Sequence, residues 1–388
     1  MFRCSWRVRI NSIMSKFNVN NITGKQGQQG PVLAGVTTMS STGSMRIPSG
    51  PTIAGVSTVS TTGAFVVPVG PTEFRGGRGR GIIAGGGYPS GTTGMDYIDI
   101  ATTGNGVDWG DLITGNYGRG SFSSSTRAVV GGGAGGSYVA TIEYQTISSS
   151  GGTADFGDLD IGRRFQNATG NNSRGTWMGG SRPSAQMEKY GRIIQYNEIA
   201  TTGQASYFGD MTEVRSNNPS LASPTRGITA GDQGYSPYAG AGSANRSIEF
   251  ITFSTRGNGT FFGELTSSTS SEVRSGASCS SNTRGVFAGS RTADPSPANV
   301  NNIIEYITIA TLGNSIDFGD LAAASNSGKG TSNNVRGVFA GGYVSPAEIN
   351  TIQYITIATT GNSSDFGDLV SSKGYLPAVH SDSHGGIG

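Results

Sequence analysis

The chain has 388 residues, of which 64 are glycine and only 13% are charged, with a formal net charge of +2; an ordinary globular domain carries roughly 25% charge and about 7% glycine. A near-neutral chain without a long basic run lacks the electrostatic footprint of a duplex-binding protein, so nucleic acid is not expected as a partner. No stretch reaches the roughly 18 apolar residues needed to span a bilayer, and the isolated cysteines, Cys4 and Cys279, make neither a zinc cluster nor a disulfide framework.

In chain order, residues 1–14 read as a loosely held leader that carries Arg3, Arg7 and Arg9 and ends at a second methionine, Met14. The glycine triplets from Gly24 to Gly30 are too few for a collagen helix and read as linker. Residues 15–75 form an attachment and oligomerisation region. Within it Ala34-Gly35-Val36 returns as Ala54-Gly55-Val56 and Gly50-Pro51-Thr52 returns as Gly70-Pro71-Thr72, both after 20 residues. Each copy alternates β-branched and small polar residues around Thr42-Gly43 or Thr62-Gly63, which predicts one β-hairpin per copy. A lone hairpin is marginal in water, so this region is expected to pair with other chains or dock on a larger body.

From 76 to 388 one longer phrase recurs six times. An Arg-Gly start leads into a glycine pair, an isoleucine-rich strand and a close such as Trp109-Gly110-Asp111-Leu112 or Phe318-Gly319-Asp320-Leu321. The closing glycines lie 47, 52, 54, 56 and 48 residues apart, a period that marks propeller blades or another repeat array. The last unit predicts four strands, near 328–334, 336–342, 351–359 and 364–370, with Thr-Gly-Asn turns between the last two. Four antiparallel strands at a period near 50 make a propeller blade. From each closing glycine to the next start there are 18, 18, 18, 22 and 18 residues, and Gly385 falls another 18 beyond Gly367. Residues 375–383 therefore predict a first strand without a blade of its own, donated to the blade that begins at Arg80. That is an all-β, six-bladed ring closed by the C-terminal strand. A seven-bladed ring completed by the N-terminal hairpins is the alternative.

The recurrent arginines Arg80, Arg127, Arg174, Arg226, Arg284 and Arg336 invite a reading as an anion-binding ring, but recurrence in every blade favours a structural role. Their natural partners are the recurrent acids Asp111, Asp158, Asp210, Glu264, Asp320 and Asp368, because guanidinium and carboxylate pair well when buried. Tyr97, Tyr144, Tyr196, Phe250, Tyr306 and Tyr354, in the third strands, read as inter-blade core. One acid per blade cannot form a calcium loop. Two histidines, His380 and His384, and no G-x-S-x-G elbow leave little material for a triad, and Gly76-Gly77-Arg78-Gly79 lacks the Lys-Ser/Thr of a phosphate loop. No catalytic residue, metal ligand set or cofactor is expected. Loops of variable length between second and third strands should emerge on one rim, and their Tyr88, Tyr235, Tyr238, Arg291 and Tyr343 are the candidate ligand-binding residues. Solvated loops without a ligand are the competing reading.

Two resemblances attach to these residues. Arg336-Gly337-Val338-Phe339-Ala340-Gly341-Gly342, followed by a tyrosine-bearing strand at 352–357 and by Asp365-Phe366-Gly367-Asp368-Leu369, resembles a kelch blade. The phrase Ile357-Ala358-Thr359-Thr360-Gly361-Asn362, the stretches 19–23, 48–51 and 55–60, and the ending at 381–385 are similar to virion structural proteins of tailed phages, marine cyanophages in particular. The resemblance implies a non-enzymatic virion structural protein, made in the host cytoplasm and placed on the tail or particle surface. As a tail fibre or baseplate-associated appendage it would bind a host surface glycan or protein through the rim loops and other virion proteins through residues 15–75, as a homo-oligomer such as a trimer. A capsid-decorating or tail-structural protein that contacts only virion proteins is one alternative. A secreted carbohydrate-active propeller enzyme is another, although the chain lacks the ligand set of galactose-oxidase-type copper sites.

Overall fold

The computed structural model describes residues 33–34, 38–41, 53–54, 58–61, 79–182, 190–231, 246–266, 276–291, 300–375 and 377–387. The chain divides into two compact units, with the boundary between residues 73 and 74. The leader at 1–14 and the glycine triplets lie outside the described residues.

In the first unit the two 20-residue copies pair with each other. Leu33–Ala34 runs parallel to Ile53–Ala54, and Thr38–Ser41 runs parallel to Thr58–Thr61, each residue opposite its counterpart 20 positions on. The hairpin expected around Thr42-Gly43 or Thr62-Gly63 in each copy has its turn and second arm outside the described residues. Two copies with the same spacing can be laid like on like, Leu33 beside Ile53 and Met39 beside Val59, and a parallel ladder holds that match along its length.

In the second unit the six repeats become six four-stranded antiparallel sheets. The last full repeat forms strands at Lys329–Ser332, Arg336–Ala340, Thr351–Thr356 and Ser364–Asp368, inside the four spans read from sequence. The first sheet contains Arg80–Ala84, Gly94–Asp99 and Val107–Asp111, and takes its fourth member from the other end of the chain. Ala378–Ser381 pairs antiparallel with Arg80–Ala84, Ala378 opposite Ala84 and Ser381 opposite Gly81. The unit is a six-bladed β-propeller closed by its C-terminal strand.

The first strands of successive blades touch one another in a closed cycle around the central channel. Neighbouring blades share no backbone ladder there, and serine hydroxyls stitch them instead. Ser123 donates to the Ser381 carbonyl at 2.7 Å, Ser280 to Ala222 at 2.7 Å, Ser332 to Ser280 at 2.7 Å, and Ser278 to Ser220 at 2.8 Å. Small polar residues at these positions satisfy one another while letting six strands converge.

The apolar core is divided among the seams between blades. One cluster joins Ile228, Ile248, Phe262 and Leu265 of the fourth blade to Phe287, Ile307 and Ile309 of the fifth, and comparable clusters fill the other seams. Each such side chain contributes about 1.5–3 kcal/mol through burial, so every blade draws its stability from both neighbours.

The repeated close is a β-bulge. In all six blades the pairing of third and fourth strands slips at one place, as between Ile142 and Glu143, leaving one extra residue in the outer strand. In five blades that residue is the phenylalanine, which the bulge turns inward until it is 2–3% exposed. The following glycine receives the third-to-fourth-strand turn of the next blade. The Gly203, Gly257, Gly313, Gly361 and Gly104 amides donate to the carbonyls of Phe156, Phe208, Phe262, Phe318 and Phe366 at 2.7–3.1 Å. The turn asparagines then accept from the acidic residue's amide, Asn258 from Asp210, Asn314 from Glu264 and Asn362 from Asp320, all at 3.0 Å. A Cβ on any closing glycine would come to 2.5 Å or less from that incoming turn.

Candidate functional site

Two kinds of connection share one rim of the ring: those from second to third strand, and those from the fourth strand to the next blade's first. They are bonded together, as where the Tyr117 amide donates to Ala134 and the Ala134 amide to Tyr117, both at 3.0 Å. Just before the first strands of successive blades sit Tyr375, Gly118, Phe165 and Asn217, all left-handed, with φ of 53°, 67°, 56° and 66°. They form a collar: the Gly118 amide donates to the Tyr375 carbonyl at 3.0 Å, Phe165 to Gly118 at 2.6 Å, and Asn217 to Phe165 at 2.8 Å. Glycine suits such a position. A left-handed backbone costs an aromatic residue about 1–2 kcal/mol, so Phe165 and Tyr375 hold their rings on this rim against backbone preference, a kind of strain that gathers at functional sites.

Those rings belong to one aromatic surface. Tyr88 stacks on Tyr375 with centroids 4.8 Å apart and meets Tyr117 edge-on at 5.2 Å; Tyr343 lies 5.5 Å from Tyr375, and Phe165 lies 5.9 Å from Tyr117. The Arg164 guanidinium bonds to the Tyr117 hydroxyl and lies 4.9 Å from the Phe165 ring centre and 5.4 Å from that of Tyr138. Arg182 extends the patch, between Tyr138 at 5.9 Å and Tyr190 at 5.6 Å. Tyr88 is 56% exposed while Tyr117 beneath it is 5% exposed, so a buried ring supports an open one. The Tyr88 amide donates to Glu348 Oε1 at 3.0 Å, which ties the loop of the first blade to that of the sixth. The arrangement offers flat apolar faces and two guanidinium groups, chemistry that suits planar or sugar-like surfaces.

The comparisons with known proteins reach the fold and stop there. No family model matches the chain, and no curated protein matches it. Solved structures share the fold. The structure of YjhT superimposes with a TM-score of 0.56 and 14% identity, covering 71% of this chain and 94% of that one.

Of the five residues singled out from sequence, Tyr88 and Tyr343 come together through Tyr375. Tyr235 and Tyr238 lie outside the described residues. Arg291 ends the extended second strand of the fifth blade, Arg284–Arg291, opposite Val300. Sequence reasoning missed Tyr117, Arg164, Phe165 and Tyr375, because they fall in the segment of nearly constant length that was assigned to the frame. Aromatic residues just ahead of the first strands were the available signal.

The recurrent arginines and acids are structural, but they do not pair with each other. In each blade the arginine lies opposite the end of the third strand and the acid opposite its beginning, as with Arg127 facing Thr146 and Asp158 facing Thr141. Five residues of strand, about 17 Å, separate the two. The arginines reach instead into the next blade: Arg127 bonds to the Ile199 carbonyl at 2.8 Å, Arg226 to Ile309 at 2.7 Å, Arg284 to Ile357 at 2.9 Å and Arg336 to Ile100 at 3.0 Å. Arg80 and Arg174 bond the same way, to Ile147 and Phe253. Within their own blades five of these guanidiniums cover the third-strand ring at 4.3–4.6 Å. Each ring meets the bulge phenylalanine edge-on, with centroids 5.8–6.2 Å apart. Of the acids, Glu264 pairs with Arg246 at 3.7 Å.

A second polar ring escaped notice. Asp96, Glu143, Gln195, Glu249, Glu305 and Gln353, one residue before each third-strand aromatic, are all buried. Asp96, Glu143, Glu249, Glu305 and Gln353 accept amide bonds of 2.8–3.1 Å from Val370, Ile113, Thr212, Thr266 and Ala323 of the preceding blade. Buried cations complete several of these joints: Arg119 to Glu143 at 2.8 Å, Arg215 to Glu249 at 2.7 Å and Lys373 to Asp96 at 3.5 Å. Burial would raise the Glu143 carboxyl, but Arg119 and the bonds from Thr153 and Ile113 outweigh it and hold the group below its ordinary range. Among the described residues no group of three His, Cys, Asp or Glu side chains is placed to hold a metal ion. No described helix is long and apolar enough to cross a membrane.

Proposed function

We propose that the chain is a non-enzymatic recognition component of a tailed-phage particle. The propeller presents its aromatic and arginine-bearing rim to the host surface, and residues 15–75 attach to other virion proteins and to further copies of the chain. The virion setting rests on the sequence resemblance. The recognition role rests on one observation, the cluster of Tyr343, Tyr375, Tyr88, Tyr117, Phe165 and Arg164, in which two aromatic residues keep strained backbones and Tyr88 stands open to solvent. A surface glycan, whose sugar faces stack on tyrosine, is the ligand class the rim fits. Weak contacts repeated over several copies would supply the avidity.

The test is adsorption of the full chain to host cells and to glycans displayed on beads, for the native protein and for Tyr88→Ala. An aromatic contact worth about 0.5–1.5 kcal/mol predicts a roughly 3- to 10-fold loss of monovalent affinity for the variant. Failure of the native chain to adsorb, together with normal incorporation into particles, would overturn the recognition role and leave the capsid-decorating or tail-structural reading. Turnover of a glycan by the native chain would point to the enzymatic alternative.

A further inference from the structure

The central channel encloses about 70 Å³ of free space, walled by the six first strands. Its lining carries Lys329, His380 and His384 among serines and apolar residues, and contains no carboxylate among the described residues. At one end the C-terminal tail crosses the ring: His384 Nε2 lies 2.8 Å from the Ser123 carbonyl, and Gly385 and Gly386 fit so closely against Ser281 and Gly170 that neither has room for a side chain. The space is a closed pocket at that end.

Lys329 stands apart from the other buried cations. Arg119, Arg215 and Lys373 each meet a carboxylate, at 2.8, 2.7 and 3.5 Å, whereas the Lys329 ammonium makes no hydrogen bond or ion pair to any described residue. Its residue keeps some accessible surface because it fronts the channel, but the ring surrounds the amine closely enough that burial pushes it down to about 8, leaving it mainly protonated at neutral pH. His380 is 3% exposed, lines the same space, and has a buried Nδ1 without a partner. The remaining charged group felt at His380 is the cation of Arg119. A part-buried ammonium in a pocket whose described lining carries no negative group is far from electrostatic balance, and the space holds an ion but not a metabolite.

We propose that the channel binds a small inorganic anion of halide size, held by the Lys329 ammonium, which acts as the counter-ion that no described residue supplies. The anion belongs to the folded ring alone, because the pocket exists only when all six first strands are assembled. Binding therefore stabilises the propeller by mass action.

The test compares unfolding of the full chain in sodium chloride and in sodium gluconate at equal ionic strength, gluconate being too large to enter. Well above half-saturation each tenfold rise in chloride should lower the unfolding constant about tenfold. The Lys329→Met variant should lose that dependence and be more stable than the native chain in gluconate. Crystals soaked in bromide should show an anomalous peak in the channel beside Lys329, a readout that holds even if the variant does not fold. Equal stability of the native chain in the two salts, a chloride dependence that survives in Lys329→Met, or a channel without bromide would each overturn the assignment.

Discussion

At the residue scale, the signature positions work as joints between blades, and their energetics are open to single substitutions. Gly263 receives the turn at Gly313, so Gly263→Ala must displace backbone. Overpacking of this kind costs about 1–3 kcal/mol or more, and denaturant unfolding should show it while Gly313→Ala, whose Cβ meets nothing within 4 Å, is affected only through its left-handed backbone (φ 153°). Arg284→Met removes the bond to Ile357 and the contact over Tyr306. A charged hydrogen bond and a cation–π contact together predict a loss of about 2 kcal/mol, measurable as a lower urea midpoint. Phe165→Gly behaves differently. Relief of the left-handed backbone opposes the loss of ring packing, so stability should change by less than about 1 kcal/mol while host-surface binding drops. A large loss of stability with binding intact would remove Phe165 from the recognition surface.

At the scale of elements, the ring depends on the strand Ala378–Ser381, which gives Arg80–Ala84 its inner partner and is stitched to the second blade through Ser121 and Ser123. Deleting residues 378–388 leaves the first blade with an unpaired edge and opens the seams to both neighbouring blades, and open edges template aggregation. Size-exclusion chromatography of the truncated chain should show soluble aggregates and a broadened unfolding transition; a monomeric, cooperative product would contradict the closure. The first unit teaches a contrasting lesson. Its 20-residue duplication was visible, but alternation of β-branched and polar residues does not say which strand lies beside which, so the parallel pairing of one copy with the next was not legible.

At the scale of the whole molecule, ring closure is tied to pH through the C-terminal histidines. Burial pushes His380 down to about 3 and His384 to about 4, so the folded ring holds both neutral. Their unfolded counterparts titrate near 6.5. Below that value the unfolded chain binds more protons, so the stabilisation present above roughly pH 6.5 is lost as the pH falls toward 4 and then 3. The slope is about 1.4 kcal/mol per pH unit for each histidine, less for His384, which keeps some exposure. Between pH 7.5 and 5.0 the native chain should lose about 2–4 kcal/mol, and His384→Gln should reduce that loss. A flat profile over this range would show that the tail does not seal the channel.

The repeat period, the near-constant 18-residue return, the four strands of a blade and the donated last strand were all legible in the sequence, because a propeller repeats one local solution and periodicity records it. Which arginine meets which partner was not legible, since Arg127 and Asp158 share a blade but stand at opposite ends of its third strand, while Ile199 is 72 residues away and next door. The aromatic rim was half legible. Tyr88 and Tyr343 stood out in variable loops, but Tyr117, Phe165 and Tyr375 looked like frame until the collar placed them beside those loops. Lys329 became distinctive only when the closed ring left it facing a channel whose described lining has no carboxylate. Local pattern determines the blades because each strand needs only its sheet neighbours; the rim and the channel are made by residues from different blades, and only closure of the ring brings those together.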